Sequence, residues 1–312
     1  MWEDQAETYR QWSDKIDFEE IKILGGEPTL NPSLDQWISG TRALWPNAKI
    51  ILLTNGSRLK YLYQRNFFDL LSETNTELHI TLHNRDRYQT VIDEIKQYLI
   101  DPVEQLIPAE NCEWQTAYNN VKDSSWPECQ TYEDFELLPD NIKKECIEIH
   151  KIGIEDFQKV TGALSLSDAT GIKILIEHAE VFVTAPLKYA GKNKFSVYDS
   201  DPKEAHSVCI SRDCTHLIKG KMYKCHHVAL LPEFAQQYHV DMTPQQTKLM
   251  LSYQPLTVDA DHDSTIAFLD RIKKGIPQCR LCPSELEPVY LKSSTKKPKI
   301  KKKVIDITPI SL

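Results

Sequence analysis

The chain contains no long apolar run. Across 312 residues the strongest, Ile50–Leu53, is four residues long, far short of the roughly 18 that a membrane helix needs. The opening Met1-Trp2-Glu3-Asp4 is acidic, without the basic start and apolar stretch of a secretory signal. Neither a membrane-spanning nor a conventionally secreted product is expected, and the expected location is cytoplasmic. Basic residues are in deficit, 37 against 45 acidic ones, for a net charge of −8, which argues against gripping nucleic acid with the whole surface. There is no internal repeat, and no cysteine occurs before Cys112. Disorder is excluded for the bulk of the chain, because 41% hydrophobic and 26% charged residues suffice for a folded core.

What charge of positive sign there is collects at the end. Residues 292–303 (KSSTKKPKIKKK) carry seven lysines and no acid. They read as part of a disordered basic tail, residues 292–312, that solubilises the chain or meets RNA or another anionic partner.

Three short, β-branched-rich runs lie near the start: Ile21–Leu24, Ile50–Leu53 and Leu78–Leu82. Each is followed by a turn signal, Gly25-Gly26, Asn55-Gly56 or His83-Asn84. Between them, apolar residues recur at helical spacing: Leu34, Trp37, Ile38, Thr41 and Leu44; Leu59, Leu62, Tyr63, Phe67, Leu70 and Leu71; Tyr88, Val91, Ile92, Ile95 and Leu99. Trp2–Ser13 is a further helix. Strands alternating with helices build a parallel sheet with right-handed crossovers, and ligands collect at the carboxyl ends of such strands. More strands are expected at Ile172–Ile176 and Val181–Thr184. Residues 101–162 are polar and Pro-interrupted, an insertion with one helical piece around Ile142–Ile152. The expected domains are 1–198, 199–291 (small and Cys-rich) and the tail.

Eight cysteines are present. Cys112, Cys129 and Cys146 are scattered and read as ordinary thiols. The other five form Cys209-x4-Cys214-x10-Cys225 and Cys279-x2-Cys282. In a cytosolic chain this spacing points to a metal before disulfides. Cys214, Cys225, Cys279 and Cys282 are the expected ligands, with Cys209 a spare or a substitute for Cys214. Zinc and a 4Fe–4S cluster both suit four thiolates, and His206, His216, His226 and His227 lie near enough in sequence to join a zinc site.

Ile23-Leu24-Gly25-Gly26-Glu27-Pro28-Thr29-Leu30-Asn31-Pro32, followed by Leu53-Thr54-Asn55-Gly56-Ser57, resembles the radical SAM superfamily, whose second and third barrel strands end in GGEP and TNG. The resemblance covers about residues 1–100 and 165–290. It implies a fold: a partial (β/α)6 TIM-like barrel missing its first strand, with a small Cys-rich domain. It implies that Gly25, Gly26 and Glu27 hold the amino group of S-adenosylmethionine (SAM). Thr81 would assist, in the place of a serine that ends the fourth strand of relatives, and His83 would stand for an acid or be a satisfied strand-end histidine. Cys214-x2-Leu217-x2-Gly220-Lys221-x-Tyr223-x-Cys225 is similar to the opening of the SPASM and twitch auxiliary-cluster domains. The resemblance thus favours an auxiliary 4Fe–4S cluster, with zinc the alternative.

The superfamily's Cys-x3-Cys-x2-Cys, which holds the SAM-cleaving cluster, is not present in these 312 residues. Without a first strand, Ile21–Leu24 would be an apolar sheet edge of a kind normally covered. The expectation is a chain read from an internal start, or half of a split protein whose partner chain supplies the strand and triplet. The function implied is reductive SAM cleavage and hydrogen abstraction from an unknown substrate, a peptide by slight preference, with flavodoxin or ferredoxin as reductant. The chain alone would be inactive. The alternative is a non-catalytic, degenerate barrel with a structural four-cysteine zinc or iron–sulfur site, acting as a partner module.

Overall fold

The computed structural model describes residues 2–59, 62, 66–82, 87–107, 163–178, 181–183, 187–189, 194–285 and 288–290. His83, Cys112, Cys129, Cys146, the helix expected at 142–152 and the basic tail lie outside the described residues.

The N-terminal part is mixed α/β. In chain order it runs α1 (Ala6–Ser13), β1 (Glu20–Ile23), α2 (Leu34–Leu44), β2 (Lys49–Thr54), α3 (Phe67–Glu73), β3 (Thr76–Leu82), α4 (Tyr88–Lys96), β4 (Val103–Ile107), β5 (Ala163–Ser167) and β6 (Lys173–His178). The six strands form one sheet in the order β1-β2-β3-β6-β5-β4. β1, β2, β3 and β6 pair in parallel, whereas β5 is antiparallel to both β6 and β4. A mostly parallel sheet matches the sequence expectation; among the described residues it has two edges, β1 and β4, and does not close into a barrel. β4 and β5 lie at the margins of the expected insertion. The strand expected around Val181–Thr184 is present as β7 (Val181–Val183), which pairs antiparallel with β12 (Pro288–Tyr290) outside the main sheet.

Alternation sorts the two faces of the sheet. One carries Leu52, Leu78, Ile80, Leu82, Leu166, Ile174 and Ile176, packed under Leu34 and Ile38 of α2, Phe67 and Leu71 of α3, and Val91 and Ile95 of α4. Burying each such side chain stabilises by about 1.5–3 kcal/mol. The other face carries ion pairs: Glu77 meets Lys49 at 3.3 Å, His79 at 3.3 Å and Lys173 at 3.8 Å. The three helices that pack on this core lie on one side, as sequential right-handed crossovers require. Arg42, at the end of α2, donates to the carbonyls of Pro46, Ala48, Thr74 and Asn75. One guanidinium so satisfies chain ends on both sides of β2.

The C-terminal part contains a hairpin of β10 (His216–Ile218) and β11 (Lys221–Tyr223), a short two-strand pair β8 (Lys188–Tyr189) and β9 (Phe195–Ser196), and the helices α5 (Pro202–Ser207), α6 (His226–Tyr238), α7 (Pro244–Leu251) and α8 (His262–Asp270). It shares a core with the N-terminus: Tyr9, Trp12 and Ile16 pack with Met222, Leu256 and Phe268. Trp12, fully buried, donates its indole N–H to the Gly220 carbonyl at 2.9 Å, and the Tyr9 hydroxyl reaches the Leu217 carbonyl at 3.3 Å. Lys219 and Gly220 both have positive φ, as a two-residue hairpin turn of the primed type requires. A Cβ on Gly220 would lie 2.7 Å from the Thr8 methyl, so this glycine is fixed by conformation and by contact.

Candidate functional site

The sequence motifs fall in two places. The first is the loop that leaves β1. Glu27 caps a 3-10 turn, Pro28–Leu30, accepting from the Thr29 amide at 3.1 Å and the Thr29 hydroxyl at 2.6 Å. The same carboxylate accepts from the Thr54 hydroxyl at 2.6 Å and the Asn55 amide at 2.8 Å, at the end of β2. Burial pushes the Glu27 pKa up, but the bonds from Thr29, Thr54 and Asn55 outweigh it and leave it lowered. Three of the four bonds fall on Oε1 and one on Oε2, so Oε2 keeps room for one more donor. Asn31 then accepts from the Ser33 amide and hydroxyl, an Asx turn that leads into α2.

The glycines of the two motifs differ. Gly56 has φ +68°, and a Cβ there would sit 2.9 Å from the Ile80 side chain; the fold itself demands it. Gly25 and Gly26 are exposed, have no positive φ, and a Cβ on either would meet nothing within 4 Å. The chain thus makes no conformational or packing demand for these two glycines, and the space above them is open. Thr81 is not brought onto the Glu27 side. Register pairs Thr54 with Ile80, so Thr54 and Ile80 share a face while Thr81 lies on the opposite, polar face with His79. Thr54 and Thr29, which fix the carboxylate, were not singled out by sequence reasoning, although Thr54 opens the Thr-Asn-Gly motif.

The second place is a pocket of thiols. Cys209 follows α5, Cys225 caps α6, and Cys279 and Cys282 belong to the 3-10 turn Pro277–Leu281 and its end. The four act on one another in every pair: Cys282 feels Cys209, Cys225 and Cys279; Cys225 feels Cys209 and Cys279; Cys209 feels Cys279. Burial raises the thiol pKa of Cys209, Cys225 and Cys282, and the mutual fields add to it. Amides pull the other way, those of His227 and Val228 on Cys225 and that of Ser211 on Cys209. The Ile276 amide donates to the Cys279 sulfur at 3.5 Å.

Cys214 is exposed, and a tight turn lies between it and Cys209: Arg212 N bonds the Cys209 carbonyl at 3.2 Å and Cys214 N the Ser211 carbonyl at 3.4 Å.

A cavity of about 70 Å³ is lined by Cys209, Ser211, Cys225, His226, His227 and Cys282. The ring Nε2 atoms of His206 and His227 are buried without a hydrogen-bond partner. Burial pushes the His227 pKa down to about 4, with His226 adding to the shift. Of the two orphaned nitrogens, that of His227 belongs to the pocket that Cys209, Cys225 and Cys282 line; thiols and imidazoles are donors of the kind that zinc or an iron–sulfur cluster takes. Ligating geometry is not formed: among the described residues no three Cys, His, Asp or Glu side chains stand where they could hold a metal ion. No helix among the described residues is long and apolar enough to cross a membrane.

No known family model matches the chain, and no curated protein matches it.

Proposed function

We propose that this chain is a radical SAM-type protein, with SAM at the tips of β1 and β2 and an auxiliary 4Fe–4S cluster in the thiol pocket. The observation that carries the reading is the convergence of Cys209, Cys225 and Cys282, from three separated segments, on one pocket with His226 and the unpartnered imidazole of His227. Gly25, Gly26 and the spare acceptor position on Glu27 Oε2 suit the amino end of SAM. The packing of α2, α3 and α4 on one side leaves the opposite face of the sheet, with Ile51, Leu53, Glu77 and His79, as the side a partial barrel would enclose. SAM bound beside a reducing cluster supplies hydrogen-abstracting chemistry, and the auxiliary cluster supplies electron relay or a ligand for substrate. The chain's own residues orient and fix. Glu27 ties the β1 loop to β2, and the amides at Ser211, His227 and Val228 favour thiolate over thiol. The reading includes a reductant such as flavodoxin or ferredoxin, and a Cys-x3-Cys-x2-Cys contributed from outside these residues. A peptide is the favoured substrate class.

The test is anaerobic purification with iron, sulfide and zinc analysis, together with SAM titration by calorimetry. Iron with matching sulfide, and SAM binding that is lost on substituting Gly26→Val, are expected. Zinc without sulfide removes the auxiliary cluster, and no SAM binding removes the strand-tip site. Deoxyadenosine formed under reductant by these residues alone would refute the dependence on an added triplet.

One observation favours a second reading. Glu27 already has four internal donors, so the loop can stand without any ligand. On that reading the chain is a non-catalytic partner module with a structural four-cysteine zinc or iron–sulfur site.

A further inference from the structure

The C-terminal part carries an exposed aromatic platform that involves neither the Glu27 loop nor the cysteines. Register sets Tyr189 of β8 directly across from Phe195 of β9, with ring centroids 5.3 Å apart. Helix α6 brings the rest. Phe234 and Tyr238, four residues apart on one helix face, have centroids 4.4 Å apart. Phe195 meets Phe234 edge-on at 5.4 Å and Tyr238 at 6.2 Å. The backbone fixes the join: His239 ends α6 in the left-handed region, and the Asp241 amide then donates to the Phe195 carbonyl at 2.8 Å. Phe195 and Phe234 are rooted in the core of Val197, Leu231 and Val240, whereas Tyr189 is 62% exposed and Tyr238 42%. Rings held by a core keep their orientation, so a flat partner can stack on them with little further ordering.

The charge beside these rings is mostly of one sign. Residues 187–198 hold three lysines, Lys188, Lys192 and Lys194, and no acid, in a chain whose net charge is −8. Lys188 and Lys194 are exposed, and the Lys188 ammonium lies 4.9 Å over the Tyr198 ring. Of the nearby acids, Asp199 is paired with Arg280 and Glu233 with Lys219; Asp241 stands exposed at the margin. The seven lysines of residues 292–303 follow β12 closely, and β12 pairs with β7, which ends a few residues before Lys188. We infer that this platform binds single-stranded nucleic acid, with bases stacked on Tyr189 and Tyr238 and phosphates met by Lys188, Lys194 and the lysines of the tail. Unpaired bases present flat π faces with phosphates beside them, and aromatics interleaved with lysines match both. An acidic peptide would use the lysines alone, and an apolar one the rings alone.

The test is fluorescence anisotropy of the full chain with a labelled oligouridylate of roughly a dozen nucleotides. Tyr189→Ala and Tyr238→Ala should each weaken binding about 5–100-fold, the worth of one stacked base. Tyr189→Phe keeps the ring and should stay within a few-fold of the unmodified chain. Lys188→Gln with Lys194→Gln should flatten the slope of log affinity against log salt by about 1.4, at about 0.7 per phosphate contact on a single strand. No binding at low salt overturns the inference. So does unchanged affinity in both alanine variants, which would leave the lysines as the whole grip. Polyphosphate or polyglutamate competing as well as the oligonucleotide overturns it too, because neither carries a base.

Discussion

At the tip of β1 a single carboxylate has four donors from its own chain. In the pocket around Cys282 the buried imidazole nitrogen of His227 has no partner among the described residues. The first region satisfies its polar groups from within and leaves open space at two glycines. The second gathers thiols around buried imidazole nitrogens that the described residues leave unpartnered. On the proposed reading the difference separates a preorganised loop, which can wait for a ligand at no cost to the fold, from a pocket whose stability is coupled to its occupant.

On the proposed reading, the largest effect expected from this contrast comes from chelating the pocket's metal. Apparent binding energies of structural zinc reach about 10–16 kcal/mol in small domains, so stripping the metal should lower the thermal midpoint more than any substitution below. Cys282→Ser should abolish stoichiometric metal, whereas Cys214→Ser should leave it in place, read by elemental analysis. Equal losses for both would return Cys214 to the ligand set.

Next comes Trp12→Ala, which empties a fully buried position and removes the bond to Gly220. A cost of about 3–5 kcal/mol is expected from denaturant unfolding. Because the hairpin Trp12 supports delivers Cys225, metal affinity should fall too. If affinity holds while stability drops, the two regions are energetically independent.

Glu27→Gln should cost about 1–3 kcal/mol, the range for losing charge-assisted bonds. The sign of the pH dependence follows from a pKa lowered below its ordinary 4.5. The contribution is whole above that value and is lost as pH falls through the folded-state pKa. Urea midpoints between pH 6 and pH 3 should therefore decline less steeply in Glu27→Gln than in the unmodified chain.

The smallest stability effects separate the glycines. Gly56→Ala should cost about 1–2 kcal/mol for the left-handed backbone alone, with the Ile80 contact adding to it. Gly25→Ala should leave the melting temperature unchanged and weaken SAM titration. A stability loss at Gly25 would show that its openness is not reserved for a ligand.

Much of the sheet was legible because β1, β2, β3 and β6 are short apolar runs, each of one secondary-structure period. β4 and β5 were not, since Val103–Ile107 and Ala163–Ser167 border a polar, Pro-broken stretch and five-residue alternation is a weak signal there. The cysteine spacing pointed to five thiols, of which Cys209, Cys225 and Cys282 line one pocket. Spacing cannot choose between Cys209 and Cys214, because their placement depends on the hydrogen bonds of one turn. Lys224, between a tyrosine and a cysteine, looks like surface until its burial is known. The role of Glu27 was half legible. The motif marked it as an acceptor, and its internal donors come from residues two and 27–28 positions away.

The indole of Trp12 finds its carbonyl partner 208 residues later in the chain. During synthesis at about 5–20 residues per second, that aromatic face stays wet for roughly 10–40 s after it leaves the ribosome. The helix α1 thus matures well after it is made, and a nascent chain halted before the hairpin would present a sticky tryptophan and tyrosine to chaperones and proteases.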